Sequence, residues 1–306
     1  MKKTKIITMY IIILTFLSIL CQTKSIKSLI IGSSINSLKH QYIARFFFSE
    51  KTIRDTLEKN KVCELKNNCI DIIEFKKQEN KDVEVIEISN LKLKGHVILV
   101  HNPLSIKVGY SKDLPYGGET TSDIAKRNDA LVAINAGGFK SCANNELKPM
   151  GVVIHNEKVL YNEFKDDNIK QDIVGFTKDG MLIIGKHSIN ELKAINIKEA
   201  VTFGPPIIVN GKRVPIKGDG GWGIAPRTAI GQRKDGTVIL MTLVGRSLKR
   251  IGATIKDVQN EMLKYEAINA VNLDGGNSTT MFYEGNILSK GKSKEIKVPT
   301  IIWVKK

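Results

Sequence analysis

The sequence predicts an α+β fold, with a mixed or largely antiparallel sheet and few helices in a single large domain. Three observations predict it. Apolar runs of strand length recur from Val83 to Val304. The dipeptides Asp179-Gly180, Asn210-Gly211 and Asp235-Gly236 stand beside such runs and read as hairpin turns. Only the stretch after Thr254 carries a sustained helical stripe in that region.

The elements follow in order. Met1-Lys2-Lys3-Thr4-Lys5 is basic, Ile6 to about Cys21 is apolar, and Gln22-Thr23-Lys24-Ser25 is polar. That layout is a secretory signal or, because the run approaches the roughly 17 residues of a short span, a retained membrane anchor. Residues 1–25 are assigned to it. Residues 26–90 read as a Lys-rich appendage, helical from about Ser34 to Asn80, where Ile35, Leu38, Tyr42 and Phe46 recur near helical spacing. Residues 91–306 form the main domain.

Val83–Ile88 alternates like a half-buried strand, and strands are expected at His96–His101 and Ile106–Tyr110. Thr121 or Ser122 is expected to cap a short helix through Arg127. Leu131–Ile134 is a buried strand, and others are expected at Met150–His155, Ile173–Thr177, Met181–Gly185 and Thr237–Val244. Thr254 and Asp257 form a near capping box for a helix with Ile255, Val258 and Met262 on one face. Strands at Ile268–Leu273 and Pro299–Val304 complete the domain.

The chain has 306 residues and a formal charge of +16. Such a charge favours anionic partners. Export and the scattered lysines, without interleaved aromatics, argue against nucleic acid. Of the four cysteines, Cys63 and Cys69 close a short loop and are disulfide candidates in an oxidising compartment. No Cys/His spacing resembles a zinc site, so neither metal nor cofactor is assigned.

Three glycine-bearing loops carry the candidate chemistry. They are Asn135-Ala136-Gly137-Gly138-Phe139, Gly218-Asp219-Gly220-Gly221-Trp222-Gly223 leading to Arg227, and Asp274-Gly275-Gly276-Asn277-Ser278-Thr279. Paired glycines let backbone approach a ligand and turn N–H groups toward an anion. None of the loops matches a P-loop or a dinucleotide fingerprint. Asp274 suits a nucleophile, general base or electrostatic stabiliser. Arg227 suits a bidentate phosphate clamp, and Asn135 could orient hydroxyls or water. These three are the catalytic candidates. Gly137, Gly138, Phe139, Gly275, Gly276, Ser278, Asp219 and Glu146 are the binding candidates, with Asp219 and Glu146 also considered as a second acid/base. Arg246 is a further candidate for phosphate.

At these loops, and at Pro149–Ile154, Phe203–Gly211 and Gly220–Gly231, the chain resembles the phosphodiester glycosidase family from about Lys92 to Val304. It departs from the family pattern in carrying Asn277 where a third glycine is common, and in a shorter loop at Lys140–Lys148. The resemblance implies a hydrolase that cleaves the sugar C1–O–phosphate bond of glycosyl phosphodiesters, and its expected partner is a phosphate-bearing glycan. Together with the signal or anchor read at the N-terminus, this gives the expectation of an exported enzyme acting on surface or environmental glycans, with its domain outside the cytoplasm and any membrane association through the N-terminus. The alternative is a non-catalytic module that binds phosphorylated polymer.

Overall fold

The computed structural model describes residues 23–35, 40–63, 83–142, 146–245 and 252–306. The apolar run of the expected signal or anchor, the part of the expected helical segment from residue 64 to 80, Cys69 and Arg246 lie outside them. Among the described residues no helix is long and apolar enough to cross a membrane.

The chain forms two compact units. The smaller holds the N-terminal region through Lys61 together with Ile216–Ile224, and the larger holds Val62–Pro215 and Ala225–Lys306. The smaller unit holds three helices, Lys24–Ile35, Gln41–Phe47 and Glu50–Lys59. The last two fall in the segment expected to be helical from about Ser34, and the first lies almost wholly before it. Ser49 caps the third by accepting the Thr52 N–H at 3.3 Å. Ile31, Ala44 and Ile53 form its small core. The glycines of the 216–224 loop fit closely here. A Cβ on Gly223 would lie 2.2 Å from the Ser33 hydroxyl, and one on Gly221 would lie 2.3 Å from the Asn60 carbonyl oxygen.

The larger unit is built from antiparallel sheets. A seven-stranded sheet runs in the spatial order Val83–Ser89, Lys94–Val100, Val238–Val244, Arg227–Arg233, Ala267–Leu273, Pro206–Val209, Lys212–Arg213. Residues 83–89, expected to precede the main domain, pair along their whole length with Lys94–Val100 and are therefore its edge strand. A five-stranded sheet holds Leu182–His187, Gln171–Thr177, Ile197–Thr202, Val152–His155 and Lys158–Asn162. A second holds Asn286–Lys290, Thr280–Tyr283, Ala130–Asn135, Thr300–Lys305 and Ile106–Tyr110.

The three sheets share one core. Ile98, Ile230, Leu240 and Val271 come from the first, Val153, Val174 and Val201 from the second, and Val108, Ile134 and Ile302 from the third. Burying each such side chain stabilises the fold by roughly 1.5–3 kcal/mol. The three turn dipeptides do join antiparallel neighbours. Thr254 caps Ile255–Lys264 in a full capping box with Asp257. The cap of Thr121–Arg127 is Thr120, one residue earlier than expected, because its side chain reaches the Asp123 N–H.

Candidate active site

The candidate site lies at one end of the seven-stranded sheet. Thr228 is opposite Leu273 in the antiparallel register. Arg227, which opens its strand, and Asp274, which follows Leu273, therefore leave the sheet at the same end. The loop after Asp274 then folds back toward Arg227. Gly276 donates its N–H to the Pro226 carbonyl at 2.7 Å. A Cβ on Gly275 would lie 2.9 Å from that same oxygen and 3.8 Å from Arg227 Cδ. Close approach thus requires glycine at 275, and a φ of +61° favours it at 276.

Asn135 ends its strand at the junction of two sheets and is 1 % exposed. Its Nδ2 donates to the Asp274 carbonyl at 2.6 Å. Its Oδ1 accepts the Thr228 hydroxyl at 2.7 Å and the Thr280 N–H at 3.0 Å. Asp274 returns the contact by donating its N–H to the Ala136 carbonyl at 3.1 Å. Asn135 is therefore a bracket that fixes the Asp274 backbone against the Arg227-Thr228 strand. Replacing it with leucine strands three buried polar groups, each costing about 1–3 kcal/mol when unpaired. Asn135→Leu is expected to lower the urea midpoint by the equivalent of about 3–5 kcal/mol. An unchanged midpoint would remove the bracket assignment.

Asp274 is half-buried at the mouth of this loop. Its carboxyl is pushed up from the usual 3.8 to about 6. Burial is the main cause, because it penalises the charged form. The Ser278 hydroxyl and the Gly275 N–H, both bonded to the carboxylate, pull the other way and are outweighed. Arg227 is 4 % exposed, and its Nε donates to the Ala253 carbonyl at 3.0 Å. That bond fixes the plane of the guanidinium from behind.

The other sequence candidates fall out differently. Gly137 and Gly138 do not turn their N–H groups toward a ligand. Gly137 donates to the Thr300 hydroxyl at 3.1 Å and Gly138 to the Thr202 carbonyl at 3.1 Å. Their missing side chains make room for Val201 and the Phe203 ring. Phe139 is corrected from a binding residue to a core residue, packed with Ile124, Phe282 and Ile301. Ser278 is buried and engages Asp274. Asp219 lies in the smaller unit, where its carboxylate accepts the Gly221 N–H at 2.8 Å and the Ser28 hydroxyl at 3.4 Å. Those bonds give it a turn-forming task. Glu146 is exposed, and its backbone carbonyl accepts the Cys142 N–H at 2.8 Å. Among the described residues no group of three or more His, Cys, Asp or Glu side chains is placed to hold a metal.

Thr228 was not singled out from the sequence, although it follows Arg227 directly. Its place next to a candidate arginine was no signal of this role, since alternation on a strand sends the two side chains to opposite faces.

Asp274 and Arg227 thus leave the sheet at the same end, the carboxyl of the first raised by burial and the guanidinium of the second held by the Ala253 carbonyl. The chain belongs to the phosphodiester glycosidase family, whose sequence model matches residues 128–305. It is 33% identical over 186 residues to the SPbeta prophage-derived uncharacterized protein YomE of Bacillus subtilis, covering 56% of this chain and 27% of that protein. It is 26% identical over 187 residues to human N-acetylglucosamine-1-phosphodiester alpha-N-acetylglucosaminidase, covering 56% of this chain and 35% of the human one. The chain thus matches about a quarter to a third of the length of these relatives. The fold is similar to the zebrafish catalytic domain of the latter enzyme, auto-inhibited by its pro-peptide. There the TM-score is 0.62 at 22% identity, over 76% of this chain and 86% of that one. A hypothetical protein from Synechocystis shares the fold at a TM-score of 0.52 and 18% identity, over 72% of this chain and 61% of that one.

Proposed function

We propose that this protein is an exported hydrolase of glycosyl-1-phosphodiesters in surface or environmental glycans, and that Asp274 and Arg227 carry the reaction. The observation that supports it most is that both residues leave the seven-stranded sheet at the same end, with the Asp274 carboxyl near 6. Water replaces phosphate at the sugar's anomeric carbon. The C1–O bond breaks, the bonding pair leaves with the phosphate monoester, and the water proton is lost to a base. A phosphate monoester leaves readily, so strong acid assistance is less necessary than in an ordinary glycosidase. Arg227 offers the departing phosphate two parallel hydrogen bonds and a positive charge. Asp274, ionised above about pH 6, faces the oxocarbenium-like carbon or takes the water proton. The basic composition suits a phosphate-bearing substrate.

The test is turnover of a sugar 1-(aryl phosphate) diester by the full chain in water enriched in heavy oxygen. Free sugar and aryl phosphate should appear, with the label in the sugar hydroxyl. Label in the phosphate would mean P–O cleavage and would overturn this assignment. Binding without any turnover would favour the non-catalytic module.

A further inference from the structure

Beside the candidate site stands a two-stranded ribbon, Phe139–Ser141 with Leu147–Pro149, in which Lys140 is opposite Lys148. Its root is fixed close to Asp274. Ala136 accepts the Asp274 N–H, and Gly138 is held by Thr202 on one side and by Met150 N–H at 2.9 Å on the other. Lys140 is four residues past Ala136, at most about 13 Å of extended chain.

The two lysines have different surroundings. Lys140 is paired with Glu163, whose other oxygen accepts the Gly151 N–H at 2.8 Å. Lys148 makes no ion pair among the described residues. Its ammonium lies instead 5.7 Å from the centre of the Tyr116 ring and 6.0 Å from that of Tyr161. Tyr116 is 55 % exposed. A tyrosine left open to solvent stands beside a cation whose charge is felt by the Glu163 carboxyl and the Tyr161 hydroxyl without a close ion pair, so an apolar face and an ammonium are presented together to a ligand. A sugar ring presents C–H groups that stack on such a face, and a phosphate accepts from such a cation.

We propose that Tyr116, Lys148 and Tyr161 form a subsite for the neighbouring repeat of a phosphodiester-linked glycan, with Lys148 taking the phosphate one repeat away from the bond that is cut. The substrate class is then a chain of sugar phosphates, not an isolated capped sugar. The inference rests on the reading of Asp274 and Arg227 given above, and it concerns which diesters that site meets. The three residues come from three separate stretches of sequence, none of them among the three loops that carry the candidate chemistry.

The experiment compares binding of two probes to the full chain by calorimetry: an oligomer of sugar-1-phosphate repeats and the single-repeat diester. Wild type should bind the oligomer about tenfold more tightly, the value of one charge-assisted contact. Lys148→Met and Tyr116→Ala should each bring that ratio toward one, and Lys148→Arg should retain most of it. Tyr116 is exposed enough for its variant to fold should Lys148→Met fail. A wild-type ratio near one, or a ratio unmoved by both variants, overturns the subsite. Polyphosphate serves as the sugar-free arm, and equal preference for it would overturn the stacking role. Hydrolysis of the single diester with a ratio of one removes the subsite and leaves the activity standing. A tenfold ratio without hydrolysis does the reverse.

Discussion

Asp274→Asn is expected to abolish turnover of glycosyl phosphodiesters, by a factor of a thousand or more in kcat, while raising the stability of the protein at neutral pH. Removal of a catalytic base or of transition-state charge stabilisation accounts for about 10²–10⁴ in rate. The stability gain follows from the same burial that shifts the carboxyl. In the folded state it titrates near 6, against an ordinary 3.8. Between those values the folded protein holds the proton more tightly than the unfolded chain does. The stabilisation is complete below about pH 4 and is lost as pH rises through about 6. Above that the buried charge costs up to about 3 kcal/mol at roughly 1.4 kcal/mol per unit. Asparagine keeps an acceptor for Ser278 and Gly275 and carries no charge. Its melting temperature should therefore exceed wild type by several degrees at pH 7, with the gap closing near pH 4. Equal melting temperatures at both pH values would show that the carboxylate is well solvated. Normal turnover in a folded variant would move the chemistry away from Asp274.

The hairpins were legible because an Asp-Gly or Asn-Gly pair encodes its own backbone conformation. Asn210 has φ +49° and Gly211 +73°, as a turn between twisted strands demands. The helix at Ile255–Lys264 was legible for the same reason, since Thr254 and Asp257 satisfy each other three residues apart. The strand ends carrying Asn135 and Asp274 could be placed because an apolar run stops at a polar residue followed by glycines. What was not legible is the partner of each loop. All three glycine loops look alike as text, yet the Gly218–Gly223 loop packs on Ser33 and Asn60. Gly137 and Gly138 accommodate core side chains, and only the Asp274 loop meets Arg227. The space around a glycine is set by residues far away in sequence, and no local pattern reports it. Phe139 shows the same limit, since its ring fills a core formed by residues as distant as Ile301.

The positioning of Asp274 also separates two kinds of contribution that residue type alone merges. Asn135, Ser278 and the Gly275 N–H all touch Asp274, but the first holds its backbone and the other two hold its carboxylate. Loss of the first should be felt in folding, and loss of the Ser278 hydroxyl in the acid limb of the pH–rate profile.

Arg227→Lys is the second large effect, and its expected signature differs from that of Asp274→Asn. The arginine is buried, and its Nε is tied to the Ala253 carbonyl at 3.0 Å. Lysine keeps the charge but is a point cation without the planar fork, so it loses the paired contact with phosphate and the bond that sets the plane. Because the phosphate gains charge as the C1–O bond breaks, the clamp tightens along the reaction, and kcat should fall along with affinity. A combined loss of about 10²–10³ in kcat/KM is expected for phosphodiesters, or roughly 3–4 kcal/mol. A nitrophenyl glycoside of the same sugar, which has no phosphate, is the control. Any turnover of it should be insensitive to the substitution, because its leaving group makes no use of a guanidinium fork. Equal losses on both substrates would mean that Arg227 acts by holding the 252–254 segment in place and not by touching phosphate. A loss confined to the phosphodiester places the guanidinium on the departing group, on the far side of the breaking bond from Asp274.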